Sequence, residues 1–261
     1  MKEHVFAICA YKESVYLEKC IESLINQTSG SQVVIATSTP NEFIHDLANK
    51  YNIDVVVNPQ GPMGIGYDFD FALLTGSKRG KYVTVAHQDD TYQKEYGENI
   101  LATMTEDTII AFSDYHEERE SGIVTTNTNL KIKRILLLPL RFKIFQRSIF
   151  IRRRILGLGN PICCPAVSFN RDMVKTPIFA NDFKSNVDWY AWEQLSKEKG
   201  RFVFINRDLM MHRVHEESTT TEIIRENIRG QEDLEMLSMF SPRWLAKLIN
   251  KLYGNAEKCN D

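Results

Sequence analysis

Runs of apolar residues alternate with helix-spaced segments through the first third of the chain. Residues 5–10 are continuously apolar, and Val15, Leu17, Ile21, Leu24 and Ile25 then recur near helical spacing as far as Gln27. A buried strand, a loop and an amphipathic helix are predicted. Residues 32–37 form a second apolar run, ended by Ser38-Thr39-Pro40, and Pro40-Asn41 suits a turn into a helix through Lys50. A third strand, 53–57, leads into Asn58-Pro59-Gln60-Gly61-Pro62-Met63-Gly64-Ile65-Gly66, a tight loop by its glycines and prolines. A short helix at 68–75 and a fourth strand from Tyr82 follow. Such alternation implies parallel β-α-β units with right-handed crossovers.

The pattern continues with a helix at 94–104, a strand at 108–112 that stops at Ser113-Asp114, a strand at 166–170, a helix at 186–199 and a strand at 201–205. Two further helices are predicted at 221–239 and 242–253. Trp189, Trp192 and Leu195, at three-residue steps, read first as core and second as the wall of an acceptor site. Between Ser121 and Arg171 the chain has no Asp or Glu, while Lys131, Lys133, Arg134, Arg141, Lys143, Arg147 and Arg152-Arg153-Arg154 are interleaved with leucines, isoleucines and phenylalanines. Two readings of 130–156 stand side by side: an amphipathic surface for an anionic membrane, or a helical pair packed on the sheet with its bases in water.

Composition narrows the class. At 261 residues, 43% hydrophobic and 25% charged, the chain is an ordinary globular protein with room for a sizeable core. A net charge of −2 argues against nucleic acid as a partner. The five cysteines include the neighbours Cys163 and Cys164 and show no paired spacing, which favours a reducing cytoplasm and packing roles. The apolar stretch after Met1 is too short for a signal peptide's core, and no uninterrupted apolar stretch is long enough to span a bilayer. A cytoplasmic protein is expected, one that touches the inner face of a membrane if it meets a membrane at all.

The chemistry is sought at the end of the fourth strand, where Tyr82-Val83-Thr84-Val85-Ala86 runs into His87-Gln88-Asp89-Asp90. Adjacent carboxylates at the carboxyl end of a buried strand can hold a divalent metal, and the metal a diphosphate. A polar turn would explain the same residues.

Taken in order, the motifs resemble the family 2 glycosyltransferases, inverting enzymes of the GT-A fold that use nucleotide sugars. Phe6-Ala7-Ile8-Cys9-Ala10-Tyr11-Lys12-Glu13 and the helix after it resemble the family's opening strand and turn; Gly80-Lys81-Tyr82 through Gln88-Asp89-Asp90 resembles the segment ending in the Asp-x-Asp motif; Val187-Asp188-Trp189 resembles the motif of the catalytic base; and Arg213-Val214-His215 through Ser218-Thr219 resembles the Arg-x-His segment. The resemblance covers about residues 5–219. It implies an α/β fold with a mixed, mostly parallel, Rossmann-like central sheet flanked by helices, as a GT-A domain over 1–221 (nucleotide-sugar half 1–115, acceptor half 116–221) and a helical C-terminal tail over 222–261.

The resemblance also implies roles. Asp188 is the general base. Asp89 and Asp90, with His215, bind Mn²⁺ or Mg²⁺. Ala10, Tyr11, Glu13, Thr37, Asp68, Asp70, His87, Gln88 and Arg213 contact the nucleotide-sugar donor, a UDP-sugar being favoured. For Asp68 and Asp70 a helix N-terminal acid pair is an equal explanation, and His212 ranks below His215. The acceptor is a saccharide, with a lipid-linked or cell-envelope one as the hypothesis raised by the basic segment, and an oligomer is left open. Three departures are evident: His87 replaces the first Asp of Asp-x-Asp, Ala36-Thr37-Ser38-Thr39 lacks the base-reading Asp, and Val187 replaces a Glu. Two alternatives remain: a degenerate module that binds nucleotide or glycan without turnover, and a sugar-phosphate nucleotidyltransferase.

Overall fold

The computed structural model describes residues 2–215 and 228–258. Its first half is the predicted alternation: β1 (Lys2–Ala10), α1 (Leu17–Ile25), β2 (Gln32–Thr37), α2 (Glu42–Tyr51), β3 (Asp54–Val57), α3 (Ile65–Ser77) and β4 (Gly80–His87). The second half comprises β5 (Thr91–Tyr92), α4 (Tyr96–Thr103), β6 (Thr108–Arg119), β7 (Gly122–Val124), α5 (Thr128–Leu137), α6 (Lys143–Gln146), α7 (Ile149–Leu156), β8 (Val167–Asn170), α8 (Val187–Leu195), β9 (Arg201–Arg213), α9 (Ile228–Ser238) and α10 (Arg243–Lys258). The strands form one sheet in the order β3-β2-β1-β4-β8-β6-β9-β5, with β7 paired to β6. β3, β2, β1 and β4 are mutually parallel, β8 is antiparallel to both its neighbours, and β6 and β9 run parallel.

β1 shows why the sheet is buried on both faces. Val5 and Ala7 pack with α3 and α8 residues such as Phe69 and Trp192, while Phe6 and Ile8 pack with Leu17 and Ile21 of α1. Side chains alternate across a strand, so a continuous apolar run feeds two cores at once. Local rules set the helices. Asn41 caps α2 by accepting from the Ile44 amide at 2.9 Å, and Asn52 ends it in the left-handed conformation at φ 53°. Gly66 is needed because a Cβ there would lie 2.2 Å from the Phe179 carbonyl oxygen.

The second half departs from the predicted boundaries. β6 continues seven residues past Phe112, and β9 continues through Arg213 rather than stopping near Ile205. The β6 extension is polar, and that of β9 sets Leu209, Met210 and Met211 among polar residues. They are strands because they pair with each other, Asp114 to Glu118 opposite Asp208 to Arg213, across register shifts around Asp114. The predicted start of a helix at Thr221 lies outside the described residues, as do Ser218 and Thr219. α9 and α10 are helical as expected, but Met236, Leu237 and Ala246 share the core that holds Val83 and Phe169, so the C-terminal segment is built into the domain. Trp189 and Trp192 are core residues. The Trp189 indole N–H donates to the Leu156 carbonyl at 3.1 Å, and Trp192 stacks on Phe169. Among the described residues no helix is long and apolar enough to cross a membrane.

Candidate active site

β1 and β4 end side by side, Cys9 opposite His87. One residue beyond, the Gln88 amide extends the pairing: its Oε1 accepts from the Tyr11 N–H at 2.9 Å and its Nε2 donates to the Tyr11 carbonyl at 3.0 Å. The loop after β1 is held from its other side by the Lys12 N–H, which donates to Thr39 Oγ1 at 2.6 Å, Lys12 itself being left-handed at φ 54°. Thr37 is buried and its hydroxyl accepts from the Thr39 amide at 3.1 Å. The hydroxyls after β2 thus serve the backbone of the loops. Ala10 closes β1 opposite Thr37 and is buried, while Tyr11 and Glu13 are exposed at the rim.

The carboxylates after β4 are met by the end of β9. Asp90 is fully buried, and its Oδ1 accepts from the Arg213 N–H at 2.9 Å and lies 3.0 Å from His212 Nδ1. β5 makes this possible, since Thr91 and Tyr92 pair with Met211 and Met210 and draw β9 alongside Asp90. Asp89 Oδ2 lies 3.1 Å from His215 Nε2. Burial works to raise the Asp89 pKa, but the His215 hydrogen bond and the charges of His87 and His212 outweigh it and hold the carboxyl below its usual range. For His212, burial opposes the positive charge and Asp90 more than restores it, so its pKa is raised.

One ligand atom from each of His87, Asp89 and Asp90 lies within 4.8 Å of the others. His87 Nε2 and Asp90 Oδ2 are buried and have no hydrogen-bond partner among the described residues, a costly condition that a bound cation would relieve. Burial lowers the His87 pKa, which keeps the imidazole neutral with a lone pair to offer, and Phe69 stacks on its ring at 4.6 Å. A nitrogen with two carboxylates fits a divalent ion of the Mn²⁺ kind better than Mg²⁺, which prefers oxygen throughout. Beside this group, Arg213 is engaged by Glu118 at 2.5 Å and by the Asp89 carbonyl at 3.1 Å, and its guanidinium lies over the Tyr16 ring. Arg213 thus holds β9 to the loop after β4.

Asp188 stands at the start of α8. Its Oδ2 accepts from Asn160 Nδ2 at 2.9 Å and its Oδ1 from the Trp189 N–H at 2.7 Å. Burial nevertheless raises its pKa, against those bonds and the charges of Lys133 and His87. The charges of Asp188 and His87 each bear on the other's titration. Lys133, whose Nζ donates to the Tyr115 hydroxyl at 2.8 Å, bears on Asp188 by its charge without a spacing signal of its own. Cys163 and Cys164 are packing residues whose thiols burial pushes well up.

The two acids of α3 diverge. Asp68 is buried with Oδ1 lacking a partner among the described residues, and burial raises its pKa. Asp70 accepts from the backbone N–H groups of Ile178, Phe179 and Ala180 at 2.8, 3.0 and 2.8 Å. It braces a loop, and a donor contact is not needed to account for it.

Comparison with known proteins agrees with this geometry. The family model described as "Glycosyl transferase family 2" matches residues 5–176. No curated protein sequence matches the chain. Among solved structures, S. aureus TarS 1-349 in complex with UDP-GlcNAc is 15% identical with a TM-score of 0.62, over 98% of this chain and 72% of that one. The Pyrobaculum calidifontis mannosyltransferase PcManGT, in complex with GDP-Man and Mn²⁺, is 12% identical with a TM-score of 0.61, over 95% and 69%. Glucosyl-3-phosphoglycerate synthase from Mycobacterium tuberculosis, with Mn²⁺, UDP-Glc and phosphoglyceric acid, is 14% identical with a TM-score of 0.57, over 92% and 82%. Against the longer TarS chain, this chain spans 42% of the length. With the family's sequence pattern covering most of the sheet, and the sheet shared with these transferases, the chain belongs to the family 2 glycosyltransferases.

Proposed function

We propose that the chain transfers a sugar from a nucleotide diphosphate sugar to a saccharide hydroxyl with inversion, using a divalent ion held by His87, Asp89 and Asp90. The observation that carries this is the group of His87, Asp89 and Asp90 ligand atoms within 4.8 Å of one another at the tip of β4, with the half-buried Asp188 carboxylate held by Asn160 at 2.9 Å as the candidate base. A bound divalent ion supplies charge neutralisation for the leaving diphosphate. Asp188 Oδ2 accepts the proton of the acceptor hydroxyl as the new glycosidic bond forms and the bond from the anomeric carbon to the diphosphate breaks, so an α-linked donor yields a β-linked product. Asn160 orients that carboxylate, and Trp189 at the start of α8 donates its N–H to the other oxygen. Gln88 fixes the Tyr11 backbone, which leaves the exposed ring at the rim for the base of the donor.

The UDP and UDP-sugar complexes of the similar structures favour a UDP-sugar here, with Mn²⁺ ahead of Mg²⁺. A lipid-linked or cell-envelope acceptor, met from the cytoplasmic side, accords with the acid-free segment around α5 to α7. Transfer and donor hydrolysis assayed with Mn²⁺ for the wild type, Asp89→Ala and Asp188→Asn test the reading. Loss of turnover in both variants is expected. Unchanged turnover in both removes the site assignment, and a wild type that binds donor without ever turning it over turns the reading into that of a binding module, which the His87 replacement would then explain.

A further inference from the structure

Exposed large hydrophobic side chains are scattered over most of the surface but crowd between 132 and 150, where Ile135, Phe142, Ile144 and Phe150 are in water, Ile144 at 80% exposure. α10 packs against α5 and adds Trp244 and Leu248, at 70% and 53%. Single exposed apolar residues are ordinary, whereas a crowd of them marks an interaction surface.

The bases of this segment divide into two sets. Arg152 is buried and donates to the carbonyls of Ser196, Glu198 and Gly200; Arg153 pairs with Glu193 at 2.8 Å, Arg134 with Asp114 at 2.7 Å and Arg147 with Asp107 at 2.6 Å. These hold the fold. Lys131, Arg141, Lys143 and Arg154 are exposed and make no ion pair among the described residues. The bases thus divide between those engaged in the fold and those left in water. Between α7 and the turn from α9 to α10 lies a cavity of about 300 Å³ lined by Ile149, Phe150, Arg153, Arg154 and Phe240, apolar walls with guanidinium groups among them.

We propose that this face docks on an anionic lipid bilayer, with Ile144, Phe150 and Trp244 entering the headgroup boundary and Lys131, Arg141, Lys143 and Arg154 meeting lipid phosphates. Charge complementarity selects this occupant over a second copy of the chain. A two-fold interface would set the basic face against itself, whereas anionic headgroups neutralise it and accept hydrogen bonds from Arg. α5 ties the face to the end of β6, because the Lys133 Nζ donates to the Tyr115 hydroxyl while Ile135 on the same helix is exposed.

Flotation of the full chain with phosphatidylcholine vesicles, and with vesicles containing phosphatidylglycerol, tests the proposal. The wild type is expected to float only with the anionic vesicles and less at high salt. Ile144→Glu with Phe150→Glu, and separately Lys143→Glu with Arg154→Glu, should each cut the bound fraction about tenfold or more, with unchanged melting temperature and an unchanged thermal shift on adding UDP. The charge pair serves if the apolar pair fails to fold. No flotation on anionic vesicles, flotation undiminished in the variants, or a dimer by light scattering that the variants dissolve while wild type ignores vesicles would each overturn it. The face stands apart from the proposed transfer: vesicle binding without turnover removes only the reaction, and turnover on a soluble acceptor without vesicle binding removes only the docking.

Discussion

The Glu232 carboxylate accepts hydrogen bonds from three consecutive backbone N–H groups, those of Lys184, Ser185 and Asn186, at 2.7, 2.8 and 3.1 Å. Beside it Asp233 accepts from Asn186 Nδ2 at 2.7 Å. α9 thereby fixes the segment that leads straight into Asp188, so the end of the chain governs where the proposed base sits.

Glu232→Ala leaves three N–H groups short of a partner, that of Asn186 in a buried place. A loss of about 3 kcal/mol in unfolding free energy is expected, read by denaturant titration. Because the start of α8 loosens, turnover should fall more than donor affinity, with Glu232→Gln between wild type and Glu232→Ala in both measures.

Asp188→Asn should lower turnover about 10²- to 10⁴-fold, the usual worth of a general base, while donor affinity measured by calorimetry is retained. The same change should raise the melting temperature at neutral pH. Burial raises the folded-state pKa of Asp188 above its unfolded value, so the cost of the buried charge is fully present above the folded pKa and disappears as pH falls below the unfolded value, about 4. The two melting curves should then converge in acid. Asn160 can accept from the new amide by turning its side chain, since its Oδ1 has no partner among the described residues. Wild-type turnover should fall as pH drops through the raised pKa.

His87→Asp restores an all-oxygen pair at the strand tip. The ratio of activity with Mg²⁺ to that with Mn²⁺ should rise, because replacing imidazole by carboxylate removes the ligand that prefers the transition metal. Chelation should abolish wild-type turnover, with Mn²⁺ restoring it. An unchanged ratio would place His87 outside the metal shell.

Gln88→Ala removes both hydrogen bonds to the Tyr11 backbone. At about 1 kcal/mol for one such bond, donor Kd should rise at least about fivefold, measured by titration with UDP, with kcat nearly unchanged. A loss confined to kcat would mean that the loop after β1 serves the reaction and not the donor.

The strands of the nucleotide half, and the delivery of His87, Gln88, Asp89 and Asp90 to the end of β4, are legible in the sequence by itself. Strand and helix periods are local, and a continuous apolar run has few places to go other than the middle of a sheet. What surrounds those residues is decided by tertiary structure. His212 meets Asp90 across 122 positions, Asp70 meets Ile178 across 108, and Asn186 meets Glu232 across 46. A carboxylate facing backbone amides has no particular residue type as its partner, so neither side leaves a mark in the sequence. The polar end of β6 is equally silent, because its strand character comes from pairing with β9. The acid-free segment shows the same division: its composition announces a basic, apolar region, but only packing separates Arg152, buried on three carbonyls, from Arg154, left at the surface.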